Sequence, residues 1–281
     1  MLDKVCLVTG GTSGIGLETV RGLAGKGATV IAVGRNPQKG AHAVSEDQRT
    51  TGNDSVQFVS ADLSEQAGVR ALVQEIETRC DRIHVLVNNA GGFFMRRQTS
   101  ADGIEMTLAL NYLSPFLLTG LLLNRLEAGA PARVVNVSSF MYKTVRIDFD
   151  DLEGRKRYFG PRAYGRSKLA LMLSSFQLAK RLETKRVTVN VCDPGLSATG
   201  IIQKHPWYLR LVRPIVNLAA TTPEVGARTS IYLASSPEVK ECTGMFFVRA
   251  KPATPSAAAT DPGVARRLWD VTLELTGMDS L

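Results

Sequence analysis

The chain has 281 residues, of which 44% are hydrophobic and 21% are charged. This composition is typical of a folded globular protein and excludes a disordered chain, a collagen-like repeat and a coiled coil. The formal net charge is +8, but the basic residues are scattered and form no stripe interleaved with aromatic residues, so no nucleic-acid partner is expected.

Short apolar runs alternate with helical patterns along the chain. Strands are predicted over residues 5–9, 28–33, 56–60, 83–88, 133–137, 187–191 and 244–248, and helices over 15–25, 37–49, 64–79, 102–127, 163–183, 223–234 and 264–277. The strands are continuous apolar runs, which is typical of a parallel sheet covered on both faces. We therefore predict a single α/β domain over residues 1–281, with a doubly wound parallel sheet of about seven strands.

Three connections are longer than the others. Residues 140–161 are charged, and their basic stretch, which continues to Arg166, is either a solvated face or a phosphate-attracting one. Residues 196–222 mix apolar, aromatic and basic side chains. They are predicted to be a lid over a substrate, the alternative being simple packing on the sheet edge. In the C-terminal segment 249–281, residues 249–263 are predicted to cross the surface before a docked terminal helix.

The sequence gives little sign of a metal site or a membrane span. The four cysteines lie far apart and the three histidines are isolated, so no metal ligand set is expected. The apolar run 106–126 is interrupted by Asn111 and Pro115, which favours a buried helix over a transmembrane one. Because the first strand pattern begins almost at once, we expect a cytoplasmic protein with reduced cysteines. Membrane contact would be at most peripheral, through residues 201–217.

A glycine-rich turn, from Thr9 to Gly16, joins the first predicted strand to the first predicted helix. Glycines let the backbone turn tightly and approach a phosphate, and the following helix N-terminus offers free N–H groups. The spacing is neither G-x-G-x-x-G nor that of a P-loop. At the first βα turn of an alternating chain, it nevertheless predicts a nucleotide site.

With three later motifs, this turn resembles the short-chain dehydrogenase/reductase family. The motifs are Asn88-Asn89-Ala90-Gly91, Tyr164-x-x-x-Lys168 and Pro194-Gly195-x-x-x-Thr199, in the family's order and over nearly the whole chain. Residues 110–119, 133–139 and 267–269 resemble the retinol dehydrogenase and WW-oxidoreductase branch. The resemblance implies a Rossmann-type fold and a nicotinamide cofactor. The expected cofactor-binding residues are Gly10, Ser13, Gly14, Ile15, Gly16, Arg35, Asp62, Leu63, Asn89, Ala90, Gly91, Tyr164, Lys168, Pro194, Gly195 and Thr199.

Tyr164 and Lys168 are candidates for proton transfer. Four residues apart on a helix, they share a face, and a neighbouring cation favours the phenolate and lowers a tyrosine pKa. The resemblance implies that Ser139 is the catalytic serine that orients the substrate oxygen, with Ser138 as the alternative. It also implies that Asn111 holds a water linking Lys168 to solvent, the alternative being an ordinary buried cap.

The end of the second predicted strand indicates which cofactor is bound. An NAD-preferring site usually has an acidic residue there, whereas this chain has Arg35, which can bind a 2′-phosphate unless it simply faces solvent. Asp62 and Leu63 resemble the family's adenine-contacting pair, and Asp62 is alternatively a helix N-cap. The predicted cofactor is therefore NADP(H).

The predicted function is that of an NADP(H)-dependent oxidoreductase acting on a small hydrophobic alcohol, aldehyde or ketone, with Asn111, Ser139, Tyr164 and Lys168 as the catalytic set. The alternative is an NADP(H)-binding regulatory protein with little turnover. Family members often pair through the two long helices predicted at 102–127 and 163–183, so a homodimer is a further expectation.

Overall fold

Eight strands form one sheet in the computed structural model, which describes residues 1–195 and 221–280. The strands are β1 (Val5–Thr9), β2 (Thr29–Gly34), β3 (Val56–Ser60), β4 (Val85–Asn88), β5 (Ala132–Val137), β6 (Val187–Asp193), β7 (Phe246–Val248) and β8 (Lys251–Ala253). Their spatial order is β3-β2-β1-β4-β5-β6-β7-β8. The first seven are parallel and β8 runs antiparallel to β7. The predicted α/β sheet is confirmed, with eight strands in place of about seven.

Helices fill the crossovers between the parallel strands. They are α1 (Gly14–Ala24), α2 (Pro37–Thr51), α3 (Gln66–Arg79), α4 (Met106–Leu108), α5 (Ser114–Leu121), α6 (Leu123–Ala128), α7 (Gly160–Arg181), α8 (Pro223–Ser235) and α9 (Pro262–Thr276). Side chains cap the N-termini of α2 and α9. Asn36 accepts a hydrogen bond from Lys39 N in α2, and Asp261 accepts hydrogen bonds from backbone N–H groups in the first turn of α9. Both helices end at a glycine with a left-handed backbone, Gly52 and Gly277.

The sheet is buried on both faces, as its apolar strands predict. Leu7 belongs to the core on one face, together with Ile31 and Leu86. Cys6 and Val8, the neighbours of Leu7 along the chain, belong to the core on the other face. Successive side chains of a strand point to opposite faces, so a strand covered on both sides is apolar at most positions, and the polar side chains it does carry, such as Asn88 and Asn136, are hydrogen-bonded to each other.

Two segments depart from the prediction. The predicted helix 102–127 begins only at Met106, contains a π-helical turn over Ala109–Leu113 and is interrupted at Leu122. Residues 249–263, predicted to be irregular, contain β8. Arg249 and Ala250 both have positive φ, of 52° and 58°, which makes the tight turn that pairs β8 with β7. Glycine or asparagine normally occupies such a turn, so the residues Arg249 and Ala250 do not predict it.

The terminal helix α9 packs on α5, α7 and the π-helical turn. Trp269 is buried with its ring 4.9 Å from that of Phe116, and the Arg181 guanidinium lies 4.4 Å from the Trp269 ring. Tyr112 and Thr272 share a hydrogen bond of 2.5 Å. The predicted docking of this helix is confirmed, and it covers part of the helix pair through which a homodimer was expected.

Strand order reverses between β1 and β4, because the chain winds from β1 toward β3 and then returns to β4 on the other side. In doubly wound sheets, ligands bind beyond the carboxyl ends of the strands at this position. Within residues 1–195 and 221–280, no helix has the length and hydropathy needed to cross a membrane.

Candidate active site

The glycine turn lies at the carboxyl end of β1. Gly10 and Gly14 have φ of 67° and 55°, a conformation that costs glycine little. A Cβ atom at Gly16 would lie 2.2 Å from the Gly10 carbonyl oxygen, so the start of α1 packs against the turn in a way that only glycine allows. Ser13 precedes α1 without capping it through its side chain, and no acidic residue lies in the first turn. The amides of this turn are thus suited to an anion such as a pyrophosphate.

Thr9 links the turn to the loop after β4. Its hydroxyl accepts hydrogen bonds from the backbone N–H groups of Asn89 and Ala90, both at 3.0 Å. The Asn89 amide donates to the Thr9 carbonyl at 2.9 Å. The structure therefore brings Asn89 and Ala90 against the glycine turn across the switch point. The sequence analysis had not assigned this linking role to Thr9.

Arg35 and Asp62 face each other at the ends of β2 and β3. Their closest charged atoms are 3.7 Å apart, and both side chains are largely exposed. Burial acts to raise the pKa of Asp62, but hydrogen bonds from Ser64 and the Arg35 charge outweigh it, so this pKa is lowered. The Asp62 carboxylate accepts from Ser64 N and Oγ.

Asp62 thus stabilises the turn before α3, whose N-cap residue is Glu65, and the N-cap alternative for Asp62 is wrong. Leu63 beside it is buried.

Tyr164 and Lys168 lie one turn apart on α7, and both are buried. The Lys168 ammonium donates to the Val137 carbonyl at 2.8 Å and lies 5.7 Å from the centre of the Tyr164 ring. Burial lowers the pKa of Lys168 to about 8, while Cys192 and Asp193 act to raise it. Burial also raises the pKa of Tyr164 to about 12, although a hydrogen bond with Ser139 acts to lower it. The expected lowering of the tyrosine pKa is therefore not found, because desolvation outweighs the effect of Ser139.

The two candidate serines at the end of β5 point in opposite directions. The Ser139 hydroxyl lies close enough to Tyr164 to lower its pKa, and it accepts a hydrogen bond from Met141 N at 3.4 Å. Ser138 is buried and donates to the Lys168 backbone carbonyl at 3.3 Å. The geometry thus favours Ser139 over Ser138 as the partner of Tyr164.

Asn111 lies in the π-helical turn and is buried. Its side chain donates to the Gly92 carbonyl at 2.9 Å and to Ser167 Oγ at 3.1 Å, and it accepts from Gly92 N at 2.7 Å. Lys168 Nζ and Asn111 Oδ1 both lie close to the Cα of Gly91. A π-helical turn often marks a functional site. Here it brings the asparagine to the loop after β4, close to Lys168.

The surroundings of Tyr164 are apolar on one side. The Phe93 ring lies 5.3 Å from the Tyr164 ring, and Phe140 and Phe159, which lie near the two ends of the charged segment 140–161, are exposed. Met95, next to Gly160 in space, is also exposed.

The Pro194–Gly195 turn follows β6. Gly195 has φ of 81°, and its N–H donates to the Asp193 carboxylate at 2.8 Å. Asp193 is a buried acidic residue, and its place directly before a Pro-Gly turn gives no sign of that burial in the sequence. Thr199 and the proposed lid at 196–222, apart from Thr221 and Thr222, lie outside the described residues. In the described ranges, no group of three or more histidine, cysteine or acidic residues is arranged to hold a metal ion.

Comparison with known proteins identifies the family. The family model for short chain dehydrogenases matches residues 4–206. Human polyprenol dehydrogenase and human retinol dehydrogenase 11 are each 38% identical to this chain, and each alignment covers 98% of this chain and 86% of the relative. Human retinol dehydrogenase 14 is 39% identical, with 99% of this chain and 88% of the relative covered.

Solved structures agree with this assignment. A crystal structure of an uncharacterized protein from Mycobacterium paratuberculosis has a TM-score of 0.81 at 30% identity, covering 100% of this chain and 96% of that one. The Pseudomonas aeruginosa RhlG/NADP active-site complex has a TM-score of 0.71 at 30% identity, covering 88% of this chain and 95% of that one. The chain therefore belongs to the short-chain dehydrogenase family and is retinol dehydrogenase-like.

Proposed function

We propose that this oxidoreductase uses NADP(H) to interconvert a hydrophobic alcohol and its aldehyde or ketone. The observation that carries the proposal is the convergence of Ser139, Tyr164, Lys168 and Asn111 beside the switch point of the sheet. These four side chains come from two crossovers, Asn111 from the one between β4 and β5 and the other three from the one between β5 and β6. A protein that only binds a nucleotide has no need of them together.

The residues at the sheet edge fit a dinucleotide. The uncapped start of α1, with Gly10, Ser13, Gly14, Ile15 and Gly16, would hold the pyrophosphate. Arg35 is assigned to the 2′-phosphate, and Asp62 and Leu63 are assigned to the adenine. The part of the cofactor beyond the pyrophosphate, toward the nicotinamide, is assigned to the remaining residues, which are Asn89, Ala90, Gly91, Tyr164, Lys168, Pro194, Gly195 and Thr199. Arg35 is exposed and charged, so its guanidinium can bind a phosphate either in place of the Asp62 carboxylate or in addition to it. When bound, NADP(H) supplies or accepts the hydride.

Tyr164 acts in this proposal as the general acid in reduction and the general base in oxidation. Its hydroxyl gives a proton to the developing alkoxide, and Ser139, which lies close to it, orients the substrate oxygen. The enclosed site raises the pKa of Tyr164 to about 12, which disfavours the phenolate. The Lys168 ammonium and the positive charge of the oxidised nicotinamide oppose this effect. Asn111 and Lys168, both beside Gly91, then form the proton path to solvent.

The apolar residues near Tyr164 favour a lipophilic substrate. Phe93 contacts the tyrosine ring, and the exposed Phe140 and Phe159 offer further apolar area. Two of the relatives described above are named as dehydrogenases of retinol and of polyprenol, which are also lipophilic alcohols.

The loss of NADPH absorbance with a panel of aldehydes of increasing chain length tests this function. We expect turnover that improves with apolar length and is slower with NADH than with NADPH. Tight NADPH binding with no turnover on any member of the panel would support the regulatory alternative. A preference for NADH would refute the assignment of Arg35.

We also propose that the protein works in the cytoplasm. All four cysteines are free thiols, and burial raises the pKa of both Cys6 and Cys192 to about 12, so neither is a reactive thiolate. Cell fractionation of the tagged protein checks this placement, and recovery in washed membranes would contradict it.

A further inference from the structure

Asp193 is a buried carboxylate beside the site, and the proposed proton transfer does not use it. It is the last residue of β6 and is 5% exposed. An ionised side chain is rarely buried to this extent unless partners compensate the loss of water. Asp193 has such partners: its carboxylate accepts a hydrogen bond from the backbone N–H of Gly195 at 2.8 Å, and the backbone N–H of Phe140 lies close enough to lower its pKa.

These two N–H groups belong to different loops. Phe140 directly follows Ser139 after β5, and Gly195 lies in the turn after β6. The ladder between the two strands ends at the pair Val137 and Cys192, with one further bond from Ser138 N to the Cys192 carbonyl at 2.8 Å. Beyond that bond, the Asp193 carboxylate binds Gly195 N and lies close to Phe140 N. The loop that carries the serine and the turn assigned to the cofactor thus meet at one carboxylate.

The charge of Asp193 also faces the proton-transfer residues. Among the described residues, the titratable groups around it are Lys143 in the turn after β5, Tyr164 and Lys168 on α7, and Cys192 on β6. Burial raises the pKa of the Asp193 carboxyl, whereas the two backbone N–H groups and the ammonium groups of Lys143 and Lys168 act to lower it. Its negative charge in turn acts to raise the pKa of both Lys168 and Tyr164.

We propose that Asp193 is a positioning residue for hydride transfer: its carboxylate fixes the Ser139 loop and the Gly195 turn relative to each other and places a negative charge beside Lys168. The proposal rests on the proposed function, since Ser139 and Lys168 have roles only if the protein turns over. It assigns to Asp193 no contact with substrate or cofactor.

Two variants separate the hydrogen bonds from the charge. Asp193→Asn keeps an acceptor oxygen of similar shape and removes the charge, whereas Asp193→Ala removes both. Small misplacements of catalytic groups cost up to about 100-fold in rate, so Asp193→Ala should lower kcat roughly 10- to 100-fold and raise KM for NADPH. Asp193→Asn should recover much of this loss. In the pH–rate profile of Asp193→Asn for alcohol oxidation, the acid limb should move to lower pH, because removing the negative charge favours the Tyr164 phenolate.

A measurement without cofactor keeps the proposal separate from the proposed function. Titration of ε-¹³C-labelled lysine by NMR, with Lys168 assigned through Lys168→Arg, should show a lower Lys168 pKa in Asp193→Asn than in the unmodified protein. Asp54→Asn, which changes an exposed aspartate in the turn before β3, is the matched control for net charge and should change neither the titration nor the rate.

The outcomes are distinct. If the unmodified protein does not turn over any aldehyde, the proposed function fails, and the Lys168 titration still decides whether Asp193 acts on it. Asp193→Ala with the kinetics of the unmodified protein would overturn the proposal. Equal impairment of both variants, with an unmoved pH limb and Lys168 titration, would overturn it as well, because Asp193 would then serve only fold stability. If Asp193→Ala does not fold, Asp193→Asn carries the test.

Discussion

Tyr164 is the residue on which the proposed chemistry depends most. Tyr164→Phe removes the hydroxyl and keeps the ring that packs against Phe93. We expect kcat to fall by ~10²–10⁴-fold, the usual cost of losing a positioned acid or base, with little change in NADPH affinity. Stopped-flow rates together with cofactor titration measure both. Tyr232→Phe, whose hydroxyl donates to Glu238 far from the site, is the control, and near-normal turnover by Tyr164→Phe would contradict the mechanism.

Arg35 tests the choice of cofactor at the other end of the site. Its ion pair with Asp62 is exposed, so the pair itself contributes little to stability and the side chain is available to a phosphate. Arg35→Gln should weaken NADPH binding by roughly 10- to 150-fold, which corresponds to a charge-assisted contact of about 1.5–3 kcal/mol. NADH binding should hardly change.

Arg49→Gln, which removes an equally exposed arginine of α2, is the control for net charge. An equal loss of affinity for NADPH and NADH in Arg35→Gln would mean that Arg35 does not bind the 2′-phosphate. Isothermal titration with the two cofactors makes the comparison.

At the scale of the element, the two ends of α1 offer a matched pair of glycines. A Cβ at Gly16 would lie 2.2 Å from the Gly10 carbonyl and 2.4 Å from the Asn89 amide, so Gly16→Ala must push the turn out of shape. A Cβ at Gly25, the C-cap of the same helix, meets only the Arg21 carbonyl at 3.3 Å. We expect Gly16→Ala to abolish measurable cofactor binding and Gly25→Ala to retain it. Equal binding by both variants would show that the turn does not contact the cofactor.

The packing of α9 is a second property at this scale. Trp269 fills the space between Phe116 and Arg181, so Trp269→Ala should lower the free energy of unfolding by about 3–5 kcal/mol. Leu2→Ala, at a side chain that is 77% exposed, should change it by less than about 0.5 kcal/mol. Urea unfolding gives both values. A small loss for Trp269→Ala would mean that α9 is only loosely docked.

At the scale of the whole molecule, His84 joins three strands at the amino end of the sheet. Its Nδ1 accepts from Val5 N at 3.0 Å, and its backbone bonds with β1 and with Arg133 on β5. Burial, together with the charges of Lys4 and Arg82, lowers the pKa of His84. The unfolded chain, where a histidine pKa is about 6.5, therefore binds the proton more readily than the folded one.

Stability should consequently be highest above about pH 6.5 and should be lost as the pH falls toward the lowered pKa of His84. His84→Asn keeps an acceptor for Val5 N and cannot titrate, so its free energy of unfolding should fall less between about pH 7 and pH 5. His42→Gln, at an exposed position on α2, should keep the slope of the unmodified protein. Identical slopes in His84→Asn and in the unmodified protein would contradict the role of His84.

Also at this scale, the helices expected to pair in a homodimer are already occupied in part by α9, through Phe116, Arg181 and Tyr112. A second copy could use this face only beside α9 or after displacing it. Light scattering of the purified protein decides between one copy and two.

Residue patterns along the chain are enough to predict the doubly wound α/β sheet and the motifs that lie at the carboxyl ends of its strands. Apolar periodicity is local, and parallel strands that alternate with helices have few ways to pack. The i, i+4 relation of Tyr164 and Lys168 is likewise a local property of a helix.

Other features depend on parts of the chain that are distant in sequence, and only the folded structure shows them. Burial raises the Tyr164 pKa that a neighbouring cation was expected to lower, and a π-helical turn carries Asn111 to Gly92. A two-residue turn without glycine adds β8, and packing places the Asp193 carboxylate close to the loops after both β5 and β6. Desolvation and contacts between loops arise only when separate segments pack together, so no pattern along the chain reveals them.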